Sequence, residues 1–497
     1  MFDRIKQWIG GIWNTMLGKN IIKEKMNVEI AMTTQQSNKI ERWLNIYKGD
    51  PPWLIDDTMY TMNLGVAIAS EFAKLVTIEF ESEIVNNNFL NQEYQREVID
   101  NIRNIVEYAC AGGAICFKPY PTQDGHLAVD IVQADNFYPV TFMRGRATAC
   151  ILPEYKIKGT YTYTRLESHT YNSKDRTYTI ENKVFKKNSY DGAGNSINEG
   201  IIGDEVPLSS VEEWANLTPN ATFNNIDQPL FVYFSMPFAN AENPYSKLGV
   251  SVYSKVADQG GLLEQADKLY SNILWEYKSK ENAVFADLDM FRKDGDNRDI
   301  LESGNNRLYK LLDIGDSEGG TKKLNEYSPA IRDISLFNGL NELMRKIEFQ
   351  VGFEYGTLSN AAETAKTATE IKNSRQRSFQ TVKDIQNSLR MALEQLTYSL
   401  YAWGTIAKQQ GLIKEDIKPV NIETDISFSF DDSIIVDKET EMNKLYLYVS
   451  SGILKPEYLL MKDLGITEEE AKKLIPETNF ADNALDKGLN SNTGLPQ

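Results

Sequence analysis

The chain has 497 residues, 41% of them hydrophobic and 25% charged, with a formal net charge of −17. That length is expected to bury about two to four cores, and the acidity excludes a protein that grips nucleic acid with a globally basic surface. Cys110, Cys116 and Cys150 show no C-x-x-C spacing, so buried thiols in a reducing compartment are expected.

In chain order, residues 1–34 form an amphipathic arm, with Phe2, Ile5, Trp8, Ile9, Ile12, Trp13 and Leu17 on one helical face. Packing on protein is favoured over a membrane surface, and the interruption by Lys6, Gln7 and two glycines without a small-residue cleavage site disfavours a signal peptide. Nowhere do about eighteen apolar residues run together, so a cytoplasmic chain with no membrane span is expected. Residues 55–76 and 89–109 carry helical periodicity, the second through Leu90, Tyr94, Val98, Ile102, Ile105, Val106 and Ala109, stopping before Gly112-Gly113. Strand-prone runs follow at 114–120, 127–132, 137–142, 149–163, 169–171, 178–185 and 230–238, punctuated at Asp124-Gly125, 172–175 and 191–195. Most lack an intervening helix long enough for a parallel crossover, which predicts an antiparallel meander.

Two amphipathic helices, 248–279 and 328–351, then bracket a charged insert at 280–327. The first aligns Val252, Val256, Leu263, Ala266, Tyr270, Ile273 and Tyr277 and would span roughly 45 Å. The second opens with Ser328-Pro329, a hydroxyl cap before the favoured first helical residue, and carries Ile331, Ile334, Phe337, Leu340, Leu343, Ile347 and Val351. Facing stripes predict a hairpin; an ordinary buried helix pair is the alternative. Within the insert, 283–287 and 307–314 read as strands and 293–297 as a turn. Residues 352–366, rich in Gly, Ser, Ala, Thr and Asn, read as a mobile loop.

Thr367-Ala368-Thr369-Glu370 is a capping box opening the longest helix, whose seam runs through Ser378, Val382, Ile385, Leu389, Ala392, Leu396, Leu400, Trp403 and Ala407, roughly 60 Å in all. Residues 422–430 alternate as a strand, and 437–450, 456–464 and 468–475 read as short helices. The remainder, 477–497, lacks periodicity and reads as a disordered tail. The fold class is α+β, in several domains.

Enzymatic signatures are missing. Gly18-Lys19 has Trp13 where a phosphate loop needs glycine. His126 and His169 lie outside any nucleophile motif and read as surface or turn histidines. Asp287 and Asp289 are too few oxygens for a hard cation, and Gly192–Gly200 fails the dinucleotide pattern at Ile197. No enzyme, cofactor or metal is expected.

Several short stretches keep a definite order: Trp43-Leu44-Asn45-Ile46-Tyr47 with Pro51-Pro52-Trp53, Glu71 to Ile78, Ala111-Gly112-Gly113-Ala114, Gln133-Ala134-Asp135-Asn136-Phe137-Tyr138-Pro139, Leu248-Gly249-Val250-Ser251-Val252-Tyr253, Thr367 to Ile371, and Phe430 to Ile434 with Asp437-Lys438-Glu439. Over most of the chain this order resembles the portal proteins of tailed bacteriophages, of the siphovirus type infecting Gram-positive bacteria. The resemblance implies a strand-rich wing at 35–247, stem helices at 248–279 and 328–351, a small α/β clip at 280–327 and a tunnel loop at 352–366. It further implies a wing-to-crown helix with a wing strand at 367–436 and crown helices at 437–476.

It also implies a homo-oligomeric ring, dodecameric in the virion, at one capsid vertex, assembled in the host cytoplasm and passing double-stranded DNA. Expected partners are the terminase large subunit, head-completion or connector proteins, and scaffolding and major capsid proteins, with no membrane. On this reading Thr357, Ser359, Asn360, Thr364 and Lys366 face DNA. Lys372, Arg375, Arg377 and Lys383, with Arg390, make a basic helix that contacts a neighbouring subunit in preference to DNA, and Arg292, Lys293, Asp294, Asp296 and Arg298 bind a partner at the clip. Strong phosphate contacts would turn sliding into a series of traps, so a negative or mixed lumen is expected, with Asp258, Glu264, Asp267 and Glu342 contributing. A ring-forming capsid or tail protein without a DNA channel is the alternative.

Overall fold

The computed structural model describes residues 20–188, 202–241, 243–279, 283–287, 309–312, 325–327, 332–360, 368–421, 424–430, 445–464 and 472, with backbone only at 283–287, 309–312, 325–327, 368–376 and 462–464. The chain divides into two compact units, Met1–Phe430 and Asp431–Gln497.

In the first unit, after a helical stretch at 20–26, comes helix α1, Thr34–Tyr47, set by a capping box in which Thr33 Oγ1 accepts from Gln36 N and Gln36 Oε1 accepts from Thr33 N. Helix α2 is Leu64–Val76, shorter than the predicted 55–76, because the chain before it is irregular and Asn63 sits at φ +53°. The predicted helix 89–109 is two, α3 at Asn88–Glu97 and α4 at Ile102–Gly112, separated by a 3-10 turn at Ile99–Asn101. The break resets the helical phase while Leu90, Tyr94, Val98, Ile105 and Val106 all stay buried. Strand β1, Glu81–Ile84, lies between α2 and α3.

Strand β2, Ala114–Pro121, pairs antiparallel with β3, Leu127–Gln133, and with the later β10, Val232–Ser235. A second sheet follows as a meander of β4, Tyr138–Met143, β5, Arg146–Lys158, β6, Tyr161–Asn172, β7, Thr177–Asn188, and β8, Asp204–Val206, with β9, Asn220–Asn224, also on β7. The predicted run 149–163 turns back at Gly159, φ +61°, so β6 absorbs the predicted strand 169–171. That places His169 in the interior and corrects its expected surface position: its Nδ1 lies 2.7 Å from Tyr178 Oη and its Nε2 3.2 Å from Glu167 Oε1. The three cysteines are buried and free, and burial pushes their thiols up.

Helix α5 is Leu262–Ser279, roughly 27 Å long, so the predicted start at 248 is corrected. Val252 and Val256 are buried as expected, but on irregular chain around a 3-10 turn at Ser254–Val256. Gly260 at φ +71° and Gly261, where a Cβ would stand 2.6 Å from Val256 O, explain the break. The insert contains β11, Ala283–Asp287, parallel to β12, Tyr309–Leu312, and antiparallel to β13, Asn325–Tyr327. Three residues are too few for an alternation to show, so β13 escaped the periodicity. Helix α6, Asp333–Val351, runs antiparallel to α5: Tyr277 meets Phe337 with ring centroids 6.4 Å apart, and Arg332 donates twice to Glu276, at 3.1 and 3.3 Å.

Helix α7, Ala368–Gln409, is 42 residues long and carries the expected seam, with Val382, Ile385, Leu389, Ala392, Leu396, Leu400, Trp403 and Ala407 buried. It packs across β2, β10, α2 and α3. Gly411 at φ +74° ends it, Leu412 N donating 2.9 Å to Ala407 O. Strand β14, Ile426–Ser429, returns to pair with β1, and Phe430 meets Phe80 at 4.7 Å.

In the second unit, 445–450 is helical and α8 is Pro456–Leu464. The arm at 1–19, the turns 191–195 and 293–297, Ser328-Pro329, and the segments 437–444 and 477–497 lie outside the described residues.

Candidate functional site

Several of the stretches that carry the sequence resemblance, those around Trp43, Trp53, Gly113 and 248–253, converge at the base of the helix hairpin. Gly113, at φ +87°, ends α4 where the backbone of 249–251 passes: a Cβ on Gly113 would stand 2.6 Å from Val250 C, and one on Gly249 would stand 2.1 Å from Gly113 O. Val252 N donates to Cys110 O at 3.1 Å, and Tyr253 Oη to Trp43 O at 2.9 Å. Phe137 stacks on Tyr233 at 4.8 Å, and Trp53 Nε1 donates to Asp267 Oδ2 at 2.8 Å. Glycines, aromatics and the first turns of α5 thus form one packed joint, which fixes where the hairpin leaves the sheet of β2, β3 and β10.

Two acids expected at a lumen are instead part of this joint. Asp267 is 3% exposed, accepts from Trp53 and from Met62 N at 2.8 Å, and burial raises its carboxyl above the usual range. Glu264 is buried too; burial alone would raise it, but the bonds from Lys268 and the Gly260 amide outweigh that and lower it. Asp258 pairs with Lys39. Asp258, with its side chain 47% exposed, and Glu342, 62% exposed and paired to Arg345 at 2.9 Å, keep contact with solvent. The periodic stripe was real, but carboxylates adjoining it found donors inside the subunit.

Far from the joint the hairpin is apolar and uncovered. Trp275, Ile334 and Phe337 are 66%, 72% and 50% exposed, Trp275 on the side of α5 away from buried Ile273 and Phe337 with one edge against Tyr277.

The loop after α6 differs most from its expectation. Gly352, φ +94°, reverses the chain, and Phe353 is buried with its ring 4.3 Å from Phe72. The chain then folds back along α6: Leu358 N and Ser359 N donate to Glu348 Oε1 at 2.6 and 2.7 Å, Ser359 Oγ to Oε2 at 2.9 Å, and Asn360 N to Asn341 Oδ1 at 2.8 Å. Residues 352–360 are therefore anchored, correcting the expected mobility there. Ser359 is buried against Glu348, correcting its place among the outward-facing residues, while Thr357 and Asn360 remain exposed. Thr364 and Lys366 lie outside the described residues. Glu348 was missed from sequence, although it stands four residues after Met344 on the buried side of α6 and so announced a carboxylate needing partners.

On α7, Arg377 lies over the Phe349 ring at 4.1 Å and Lys383 over Phe379 at 5.1 Å. Arg390 pairs with Glu394 at 3.0 Å. Lys372 and Arg375 fall on the same helix, in its backbone-only part, and the clip residues Arg292, Lys293, Asp294, Asp296 and Arg298 lie outside the described residues.

The chain thus combines a helix hairpin with exposed apolar side chains, a three-stranded sheet in the insert between its helices, an anchored return loop and a 42-residue helix packed across β2 and β10. The family model described as phage portal protein, SPP1 Gp6-like, matches residues 71–482. The chain belongs to this family of phage portal proteins. Comparison with curated proteins gives no match. As a portal protein it is a structural component of the virion, not an enzyme. It forms an oligomeric ring at a capsid vertex, provides the channel through which phage DNA is packaged and ejected, and gives terminase and head-tail connector proteins a platform. Among the described residues no helix is long and apolar enough to cross a membrane, and no cluster of three or more metal-ligating side chains occurs.

Proposed function

We propose that twelve copies of this portal subunit form the ring, assembled in the host cytoplasm with scaffolding and major capsid proteins. In this reading α5 and α6 are the stem, 280–327 is the clip, 35–247 with β14 is the wing, and 437–476 supplies the crown. The observation that carries it is the exposure of large apolar side chains on both hairpin helices, Trp275 on α5 and Ile334 and Phe337 on α6, which neighbouring hairpins would cover. Cryo-electron microscopy class averages of the purified oligomer test it: twelve-fold views with an open bore are expected, and a monomer or a closed particle would overturn it.

The DNA-facing set is narrowed to Thr357 and Asn360 with Thr364 and Lys366, Lys366 being the one basic residue of 352–366. One transient phosphate contact per subunit guides DNA without trapping it. Lys366→Ala is expected to lower packaging or DNA retention while leaving ring assembly intact. Arg292, Lys293, Asp294, Asp296 and Arg298 meet the terminase large subunit or a connector protein, so deleting 293–297 should give rings that no longer bind the motor in pull-down. Lys372, Arg375 and Lys383 serve contacts between subunits, where an acidic chain supplies carboxylates.

A further inference from the structure

We propose that Glu348 is a positioning residue for DNA passage: its buried carboxylate fixes the point at which the loop departs from the stem. The proposal rests on the reading that this loop meets DNA.

Glu348 is completely buried one turn before the end of α6. A carboxylate is poorly placed there, since a helix C-terminus carries partial negative charge and burial strips water from the anion. Every partner it has among the described residues is an uncharged donor of the returning chain: Gly356 N at 3.2 and 3.3 Å to its two oxygens, Leu358 N, Ser359 N and Ser359 Oγ. Successive backbone amides around one anion make a nest, here closed by a group of the same chain. Folding alone would be served as well by an apolar side chain at this position of the buried stripe. The carboxylate instead holds four donors at defined places over a stretch that otherwise offers few apolar anchors.

The geometry around it points the same way. Phe353 anchors the start of the loop on α2, Glu348 holds 356–359, and Asn341, seven residues earlier on α6, receives Asn360 N at 2.8 Å. The chain is therefore guided back along α6 as far as Asn360. Seven residues, 361–367, join Asn360 to the first residue of α7. Two ends fixed so close in sequence limit the reach of Thr364 and Lys366, to at most about 3.5 Å per residue from either anchor. Freeing 354–360 would lengthen the stretch between the last fixed residue and α7 from seven residues to fourteen, and a longer tether lowers the local concentration of its tip at any one place.

The test uses the full-length oligomer carrying Glu348→Gln, Glu348→Ala, Ser359→Ala or Asn341→Ala. The first keeps the volume but turns an amide donor toward backbone donors, and the last two each remove one tie while leaving the carboxylate. Hydrogen exchange at the amides of 356–360 reads the clamp without DNA, and the yield of DNA-filled heads reads its consequence. In Glu348→Gln rings, exchange about tenfold faster or more is expected at Leu358 and Ser359, with fewer filled heads from rings of normal subunit number. Unchanged exchange would overturn the clamp. Faster exchange with a normal yield of filled heads would overturn the positioning role. If Glu348→Ala fails to assemble, Ser359→Ala and Asn341→Ala decide by the same two measurements. A Lys366→Ala ring that packages normally would count against the loop's meeting DNA, a failure the exchange experiment reports separately.

Discussion

Glu167, in β6, shows how a single buried charge sets this fold's pH response. Burial would raise its carboxyl, but Lys118 first, then His169 and Arg165, hold it well below its usual 4.5. A folded value below the unfolded one means stability present above about pH 4.5 and lost as the pH falls through the depressed value. His126 behaves in the opposite sense: its bond to Glu93 raises it above 6.5, so its contribution is present below that pH and lost as the pH rises through the raised value. Thermal melts across pH should therefore show two separable flanks. His126→Gln should abolish the neutral-side decline and leave the acid one. Glu167→Gln, which takes one of two carboxylate partners from Lys118 and from Arg165 and leaves them Asp130 and Glu154, should cost on the order of 1–3 kcal/mol and flatten the acid flank; an unchanged acid flank would remove Glu167 from this account.

Among the elements, the joint between α4 and the chain leading to α5 depends on two glycines that touch each other's backbone. Adding a methyl at Gly249 puts it 2.1 Å from Gly113 O, so the two segments must separate and the Val252–Cys110 hydrogen bond must stretch. Gly249→Ala should cost about 1–3 kcal/mol or more in denaturant unfolding. Gly339→Ala supplies the contrast: it lies within α6 with only Leu269 Cδ2 near, at 3.7 Å, and should stabilise by up to about 1 kcal/mol. Equal effects at the two positions would mean that backbone approach is not what Gly249 serves.

The same contrast explains what the sequence made legible. Helix α7 was readable because its apolar seam repeats over many turns, and the meander because each strand is bounded by turn residues. Residues 248–261 misled because Val252 and Val256 are spaced helically yet buried on irregular chain, where the burial comes from distant Trp43 and Cys110 and not from a helical neighbour. Glu348 was overlooked and Ser359 misread for a related reason: what holds the loop is a carboxylate on a different element, which the loop's own composition does not show.

For the whole molecule, the hairpin stripe and the charge act against each other. Each subunit carries a net charge of −17, so bringing copies together costs repulsion that only buried area and screening can offset. A stable interface needs about 800 Å² from each partner, and exposed Trp275, Ile334 and Phe337 form an apolar nucleus for one. Changing Trp275 to Glu together with Phe337 to Asp removes that nucleus and adds charge of the repelling sign. Trp275 lies outside the subunit's buried core and Phe337 has only its half-exposed ring against Tyr277, so monomer stability should fall by about 0.5 kcal/mol at the first site and about 1 kcal/mol at the second. Light scattering after size exclusion should then find monomers where the unaltered chain gives rings, and salt, which screens repulsion and leaves apolar contact intact, should favour the unaltered ring. A doubly substituted chain that still assembles normally would place the ring contact elsewhere than on this face of the hairpin.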